Sequence, residues 1–511
     1  MNDGSLFDRW NAIGTMPDMI DTTTILDCYT DEPAGLGVPP FVGVWPRYVA
    51  GLYEREPTYL SIDDLRWLRY REHVPDAVID PPVGRTHIEA LNHTRDPEEI
   101  RRILEEADPL VVIAGVQTPG KYLSARPGTL REVNKLLASR PLRKVLTGPV
   151  LTGGTQVRGG LRPQLPQAGD YDELRPFVFD SYEALQSYAL PGARLIGQMP
   201  NMGNRIVEIE TGRGCPRETG CSFCTEPLKH AVQWRHADHI VEEVQALMGL
   251  GARAFRLGKQ SCIYSYESGD SQKIQTLLSR LAALRPAVLH IDNANPAMVD
   301  ARRTELFVKY LTPGSTAAMG VESFDPEVAR ANNLNCTFDS AFEAIGTVNR
   351  IGGFRAENGC HALLPGVNIL LGLAGETPQT LDRNFAALKR LLDEGLLVRR
   401  INIRQVVPFP GTVLYEQVGQ KYLRMNRRHY SAWIDKVRRE VDRPMLERLF
   451  PVGTVLRGLC SEVHNGGTTF MRQIGSYPIL VAVPERLELG QRFDVRVTGI
   501  LPRSLTGERV L

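Results

Sequence analysis

The chain has 511 residues, 42% hydrophobic and 23% charged, with a net charge of +1. That length exceeds one hydrophobic core and asks for roughly two to four domains. The balanced charge excludes a global field for nucleic acid or an anionic membrane, no stretch approaches the apolar length of a membrane helix, and eight cysteines do not make a disulfide scaffold. The N-terminus has no basic region ahead of an apolar run, so a signal peptide is not expected and the expected compartment is the reducing cytoplasm.

The first part reads as alternating strands and helices. A β-branched strand is predicted over 22–29, followed by a Gly/Pro-rich loop over 32–40 and a helical stretch over 43–53. A continuous apolar run over 110–116 has the character of a buried parallel strand. A helix over 131–139 and a strand over 143–146 follow, then a Gly/Pro/Gln/Arg-rich loop over 157–169. The order predicts a Rossmann-like doubly wound domain over 1–190, with a linker near 190–204 broken by Pro191-Gly192 and Met199-Pro200.

From residue 205 the pattern becomes regular. Strands are predicted over 205–211, 252–257, 288–292, 316–322, 366–371 and 400–407, with helices between them. Repeated βα units with right-handed crossovers curve into a barrel, and six fall short of eight, so the expectation is a partial (β/α)6 TIM-like barrel over 200–415. A charged helical connector is expected over 416–452. After it come short strands with Gly turns that predict a small β-barrel over 453–511. The fold class is therefore α/β, with three units in series.

The chemistry concentrates at the end of the first barrel strand, where Cys215, Cys221 and Cys224 share one loop. Three thiolates are one short of a closed zinc site and the right number for an iron–sulfur cluster with one open iron. Half a zinc ribbon completed by His230 or His236 is the alternative. Later strand ends carry Gly258 and Gln260 in Arg-Leu-Gly-Lys-Gln, Glu322 and Ser323 in Gly-Val-Glu-Ser, and Gly372 and Gly375 in Leu-Gly-Leu-Ala-Gly-Glu-Thr. Glu322 and Ser323 also suit a helix N-cap before Pro326. His290, Asp292, Asn293 and Asn295 put polar groups at the third strand end. The remaining cysteines read as small buried hydrophobes, Cys262 being the one beside the site.

The cysteine loop resembles the cluster motif of the radical S-adenosylmethionine superfamily, which usually spaces its cysteines with three and then two residues between them. Cys221-Ser-Phe-Cys224 keeps the second spacing and the aromatic Phe223, whereas five residues separate Cys215 from Cys221. The resemblance implies a 4Fe-4S cluster held by Cys215, Cys221 and Cys224. Its open iron would be chelated by S-adenosylmethionine and would yield a 5′-deoxyadenosyl radical that takes hydrogen from carbon. It further implies cofactor contacts from Phe223, Gly258, Gln260, Glu322, Ser323, Gly372 and Gly375. A low-potential donor such as ferredoxin or flavodoxin would supply the electron.

The N-terminal unit resembles the cobalamin-binding-like domain fused to many such enzymes, though without the Asp-x-His-x-x-Gly run of a lower histidine ligand, so cobalamin is a possible cofactor. The C-terminus resembles the RNA-binding TRAM module; from Gly453 it has seven arginines against five acids. The preceding segment is more basic, with Arg424, Arg427, Arg428, Lys436, Arg438 and Arg439. The three-part order is similar to that of an uncharacterised archaeal-type group. The expected function is carbon-centre modification of tRNA or rRNA. The alternatives are a cobalamin-dependent methyltransferase acting on a small molecule or peptide, and a non-catalytic, metal-stabilised RNA-binding protein.

Overall fold

The computed structural model describes residues 22–32, 35–36, 40–73, 92–115, 126–153, 165–167 and 169–510. The loop expected over 157–169 and much of that over 32–40 lie outside them. In the first part the strands are β1 (Thr24–Asp27), β2 (Phe41–Val42), β3 (Thr58–Ser61), β4 (Leu110–Ile113), β5 (Lys144–Thr147) and β6 (Glu173–Leu174). Five of them form an all-parallel sheet in the order β3-β1-β4-β5-β6. Counted within the sheet this is 2-1-3-4-5, a doubly wound order whose switch point lies at the carboxyl ends of β1 and β4.

The sheet is buried on both faces, so the centres of β1, β3, β4 and β5 are apolar at consecutive positions rather than alternating. Leu26, Leu60, Val112 and Leu146 pack under helices α1 (Ile62–His73), α2 (Pro97–Glu106) and α3 (Leu130–Leu137). Ile25, Tyr59, Val111 and Val145 face the core shared with the rest of the chain.

Strands β7 (Ile206–Glu210), β8 (Ala254–Gly258), β9 (Val288–Ile291), β10 (Ser315–Glu322), β11 (Leu363–Leu371) and β12 (Arg400–Gln405) form the open parallel barrel. Its two hydrogen-bonded sections run β9-β8-β7-β2 and, with Asn293–Ala294 at the edge, β10-β11-β12. The edge strand β2 was not anticipated: Phe41 and Val42 pair in parallel with Ile206 and Val207, so the N-terminal part supplies a barrel strand. A two-residue strand between a Gly/Pro-rich loop and Pro46 is too short for a period-2 signal. The expected linker over 190–204 is also corrected. Residues 182–192 are a helix, followed by a 3-10 turn whose Leu195 and Ile196 are fully buried.

The charged connector is helical as expected, but it packs on the barrel. Helix α4 (Lys421–Val437) buries Leu423, Tyr430, Trp433 and Val437 against the barrel and serves as the helix after its sixth strand. The five strands that follow, β13 (Val455–Asn465), β14 (Thr468–Arg472), β15 (Leu480–Val483), β16 (Arg492–Ile500) and β17 (Leu505–Arg509), close a small barrel in the order β13-β14-β15-β17-β16. It sits under the amino ends of the parallel strands. Arg492 and Gly490 contact Asn204 ahead of β7, Arg457 bonds Glu357 ahead of β11, and Ser476 donates to His290.

A buried ion triad joins the two α/β units. Arg47, in the helix after β2, and Arg235 both pair with Glu243, and all three side chains are inaccessible to solvent. Removing the anion leaves two buried cations uncompensated. Glu243→Gln is therefore expected to lower unfolding stability by about 3–5 kcal/mol, read by urea denaturation; an unchanged midpoint would contradict this role.

Candidate functional site

The cysteines lie between Gly212–Arg213 and Gln233–Trp234, a two-rung antiparallel ribbon at the carboxyl end of β7. A closed ribbon base lets an otherwise irregular loop stand at the barrel mouth. Inside it, Glu226 accepts from the Gly214 N–H at 2.8 Å, and the Cys224 N–H donates to the Cys221 carbonyl.

The loop is held from across the barrel by two adjacent asparagines that follow the helix at Pro326–Ala331. Asn332 is fully buried. Its carbonyl accepts from the Ser222 N–H at 2.9 Å and its Oδ1 accepts from the Ser222 hydroxyl at 2.7 Å. The same side chain donates to the Ala374 carbonyl and accepts from the Ala374 N–H. Asn333 donates to the carbonyls of Thr219 and Gly220 and receives Arg217 on its own oxygens. The Ser222 carbonyl then accepts from the Leu414 N–H at 2.8 Å. Ser222, between two of the cysteines, thus ties the loop after β7 to those after β10, β11 and β12. The pattern missed both asparagines, whose only signal is an Asn-Asn pair past a helix end.

Burial pushes the Cys221 thiol up to about 11 and the Cys224 thiol up to about 12, and the three cysteines lie within electrostatic reach of one another. Arg217 opposes this at Cys221, donating to its Sγ at 3.3 Å. Sulfur donors with one cationic hydrogen bond suit sulfur-ligated iron. Of the histidines that a zinc ribbon would need, His236 caps the helix at Ala237–Gly249, and His230 lies within electrostatic reach of Glu226, Arg213, Lys259 and Lys229. Among the described residues, no three Cys, His, Asp or Glu side chains, the three cysteines included, stand close enough together to hold a metal ion. Phe223 packs its ring on the main core.

The other predicted residues fall at the same mouth, with differing freedom. Gly258 ends β8, and a Cβ there would lie 2.3 Å from Glu208 Oε1, so glycine is needed for packing. Gln260 is buried and committed to Thr211, whose hydroxyl donates to it at 3.0 Å. Ser323 is likewise committed: it accepts from the Asp325 N–H and bonds Asn384, while Asp325 is the N-cap of the helix at Pro326–Ala331. Gly372 and Gly375 both adopt positive φ, +91° and +82°, in a turn closed by Glu376, which accepts from the Gly372 N–H and binds Asn426 and Tyr430 of α4.

Glu322 stands apart. It adopts φ +63° at the end of β10, an unusual conformation for a side chain of this size. Among the described residues no hydrogen bond holds its carboxyl, which lies within electrostatic reach of Cys221. Burial raises its pKa to about 8, against the pull of Arg404 on β12. It therefore keeps its proton to a higher pH than an ordinary carboxyl, and the protonated form can donate a hydrogen bond at the mouth.

The polar third strand end is structural. Asp292 pairs with Arg256 and accepts from the Tyr477 hydroxyl at 2.9 Å, and His290 accepts from the Ser476 N–H. Cys262 is buried and accepts from the Asn295 N–H.

No protein-family model matches the chain. It is 38% identical over 541 residues to an uncharacterized protein of Methanocaldococcus jannaschii, spanning 96% of this chain and 94% of that one. It is 34% identical over 511 residues to an uncharacterized protein of Archaeoglobus fulgidus, spanning 94% and 89%. Among solved structures it is similar to the radical S-adenosylmethionine methyltransferase TsrM of Kitasatospora setae at TM-score 0.45, 14% identity and 77% and 74% coverage. It is similar to the cobalamin-dependent S-adenosylmethionine radical enzyme OxsB at TM-score 0.47, 11% identity and 82% and 57% coverage.

Two outcomes follow. In cluster-free protein, iodoacetamide labelling of Cys221 and Cys224 should rise about tenfold per pH unit between pH 8 and 10, because both thiols stay protonated below that range; a rate flat above pH 8 by peptide mass spectrometry would contradict the burial. For Glu322, the folded state holds its proton from the unfolded value near 4.5 up to about 8, so stability from this group falls as pH rises through that window. Glu322→Gln should therefore gain in Tm over the parent as pH rises from 5 to 8.5, and a constant Tm difference would count against it.

Proposed function

This chain belongs to the family of the Methanocaldococcus jannaschii and Archaeoglobus fulgidus proteins, and we propose that it is a radical S-adenosylmethionine enzyme that modifies a carbon centre. The observation that carries this reading is the three-cysteine loop at the carboxyl end of the first strand of a six-strand open barrel, braced over the mouth by Asn332. A 4Fe-4S cluster and S-adenosylmethionine bound there would supply reductive C–S cleavage and hydrogen abstraction. The chain's own share is to present three sulfurs, support Cys221 through Arg217, offer a protonated Glu322 at the mouth, and shield the site from solvent. A low-potential ferredoxin or flavodoxin is the electron source in this reading.

The substrate enters through the mouth, since the loop between β14 and β15 occupies the other end: Ile474 packs with Phe41, Ile206 and Ala254, and Tyr477 reaches Asp292. This arrangement favours a small molecule in the lumen. RNA is the second reading, and one observation favours it. Lys421, Arg424, Arg427 and Arg428 form an exposed cationic face on the first two turns of α4, beside the Gly372 turn, with no ion pair among the described residues. The C-terminal barrel, at the opposite end, is not where such an RNA would meet the cysteines. Cobalamin is a proposed second cofactor, supported by the 2-1-3-4-5 order of the N-terminal sheet.

The test is anaerobic reconstitution with iron and sulfide, followed by dithionite and S-adenosylmethionine. The expected product is 5′-deoxyadenosine, abolished in Cys215→Ala, Cys221→Ala and Cys224→Ala. A reconstituted protein that consumes no S-adenosylmethionine would overturn the reading. Nucleoside mass spectrometry of RNA from a deletion strain decides the substrate class: one lost modification would favour RNA, and an unchanged profile the lumen.

A further inference from the structure

The amino end of α4 carries charge that works against the helix. Lys421 and Arg424 lie in its first turn and Arg427 and Arg428 in its second, all four exposed, and the first turn contains no acidic residue. Aligned peptide dipoles make this end of a helix positive, so cations here oppose it. Gln420, the residue before the helix, makes no capping side-chain bond; its Oε1 accepts from Arg424 at 3.3 Å instead. The other contacts are also with neutral groups: Lys421 sits over the Tyr422 ring at 5.4 Å and Arg428 donates to His429 at 3.1 Å. Past the far end of α4, by contrast, Arg438 pairs with Asp442 and Arg439 with Glu440.

Helical spacing puts Lys421, Arg424, Met425 and Arg428 on one stripe, opposite the buried stripe of Leu423, Tyr430 and Trp433. Met425 is 55% exposed within it, and Val413, 50% exposed, opens the short helix Val413–Gln417 just ahead of α4. Cations around exposed aliphatic side chains suit a protein partner, since Met and Arg are favoured at such interfaces. Single-stranded RNA asks for aromatic faces on which bases stack, and the large apolar side chains exposed here are aliphatic. The surface also leads to the sulfur set. The N–H of Leu414, next to Val413, donates to the Ser222 carbonyl at 2.8 Å, and Ser222 lies between Cys221 and Cys224. Electron transfer falls steeply with distance, and a carrier seated here is one hydrogen bond from the main chain of the cysteine loop.

We propose that this surface docks a small acidic protein that carries one low-potential electron, with Lys421, Arg424 and Arg428 meeting its carboxylates and Met425 and Val413 forming the dry centre of the contact. One electron leaves the reduced cofactor of the carrier and enters the cluster. The carrier is oxidised by one electron, the cluster is reduced by one, and no proton or group is transferred. That delivery rests on the radical reading of the mouth; the docking surface itself does not. Cations set against the helix dipole gain a counter-charge in the complex. On a chain whose net charge is only +1, such a local field steers an acidic carrier to this end of the barrel.

The test is calorimetric titration of the full-length, cluster-free protein with oxidised flavodoxin, an acidic one-electron carrier. Flavodoxin should bind with unit stoichiometry at low salt and at least tenfold more weakly at about 300 mM salt. The double variant Arg424→Glu, Arg428→Glu should lose at least tenfold in affinity, while its Tm matches or exceeds the parent because the opposed charges are gone. Arg302→Glu, an exposed arginine of the helix at Ala301–Tyr310, should bind as the parent does. In reconstituted protein, oxidation of flavodoxin hydroquinone should slow at least tenfold in the double variant. No binding at low salt, unaltered binding or an unaltered oxidation rate in the double variant, equal loss in Arg302→Glu, or a lowered Tm would each overturn the proposal. So would equal binding of ovalbumin, which is acidic and has no redox cofactor, or tighter binding of total tRNA through the same two arginines. Since the titrations use cluster-free protein, failure here and failure to form 5′-deoxyadenosine with dithionite are separate results.

Discussion

The position of the three thiols depends on Asn332. A loop between two short strand pairs has little regular backbone bonding, and its conformation must come from elsewhere. Asn332 supplies it with both its main chain and its side chain, accepting twice from Ser222 and exchanging two hydrogen bonds with Ala374. Because Ser222 lies between Cys221 and Cys224, the brace acts inside the sulfur set. Because Ala374 lies in the glycine turn after β11, it also sets the distance between the loop and the far wall. An open barrel has no closing strand to do this, so a polar strap across the mouth takes that part.

The same logic orders the remainder of the molecule. The Gly372 turn is held by Glu376, and Glu376 is held by Asn426 and Tyr430, so the mouth rests on α4. Helix α4 runs from the mouth toward the small barrel, which covers the amino ends of the strands. Charge in the interior is divided accordingly. Near the bottom, Arg256 is neutralised by Asp292 and joined to the small barrel through Tyr477, while Arg400, at the start of β12, is exposed to solvent.

Much of this was legible in advance. The six barrel strands fall within a few residues of their expected places because parallel strands buried among helices read as apolar runs with sharp ends. The cysteine loop and Glu322 were visible for the same reason, lying just past those ends. Other features were not legible. β2 is two residues long and pairs with a partner more than 160 positions away, which no local pattern encodes. Helix α4 was expected as part of a charged connector because Arg424, Arg427, Arg428 and Lys436 stand out in its composition, yet its buried stripe of Leu423, Tyr430 and Trp433 decides its place. Gln260 and Ser323 have side chains suited to ligand binding that the fold uses for its own hydrogen bonds. Whether a polar residue is free or spent depends on its neighbours in space, as the contrast between Ser323 and Glu322 on consecutive positions makes plain.

The central claim is that the sulfur set leaves one iron open to a ligand. Electron paramagnetic resonance of the anaerobically reconstituted, dithionite-reduced protein tests it directly. The account predicts the signal of a reduced 4Fe-4S cluster that changes in shape when S-adenosylmethionine is added, and no such cluster in Cys221→Ala. A spectrum indifferent to S-adenosylmethionine, or a protein that retains one zinc per chain in place of iron, would contradict it.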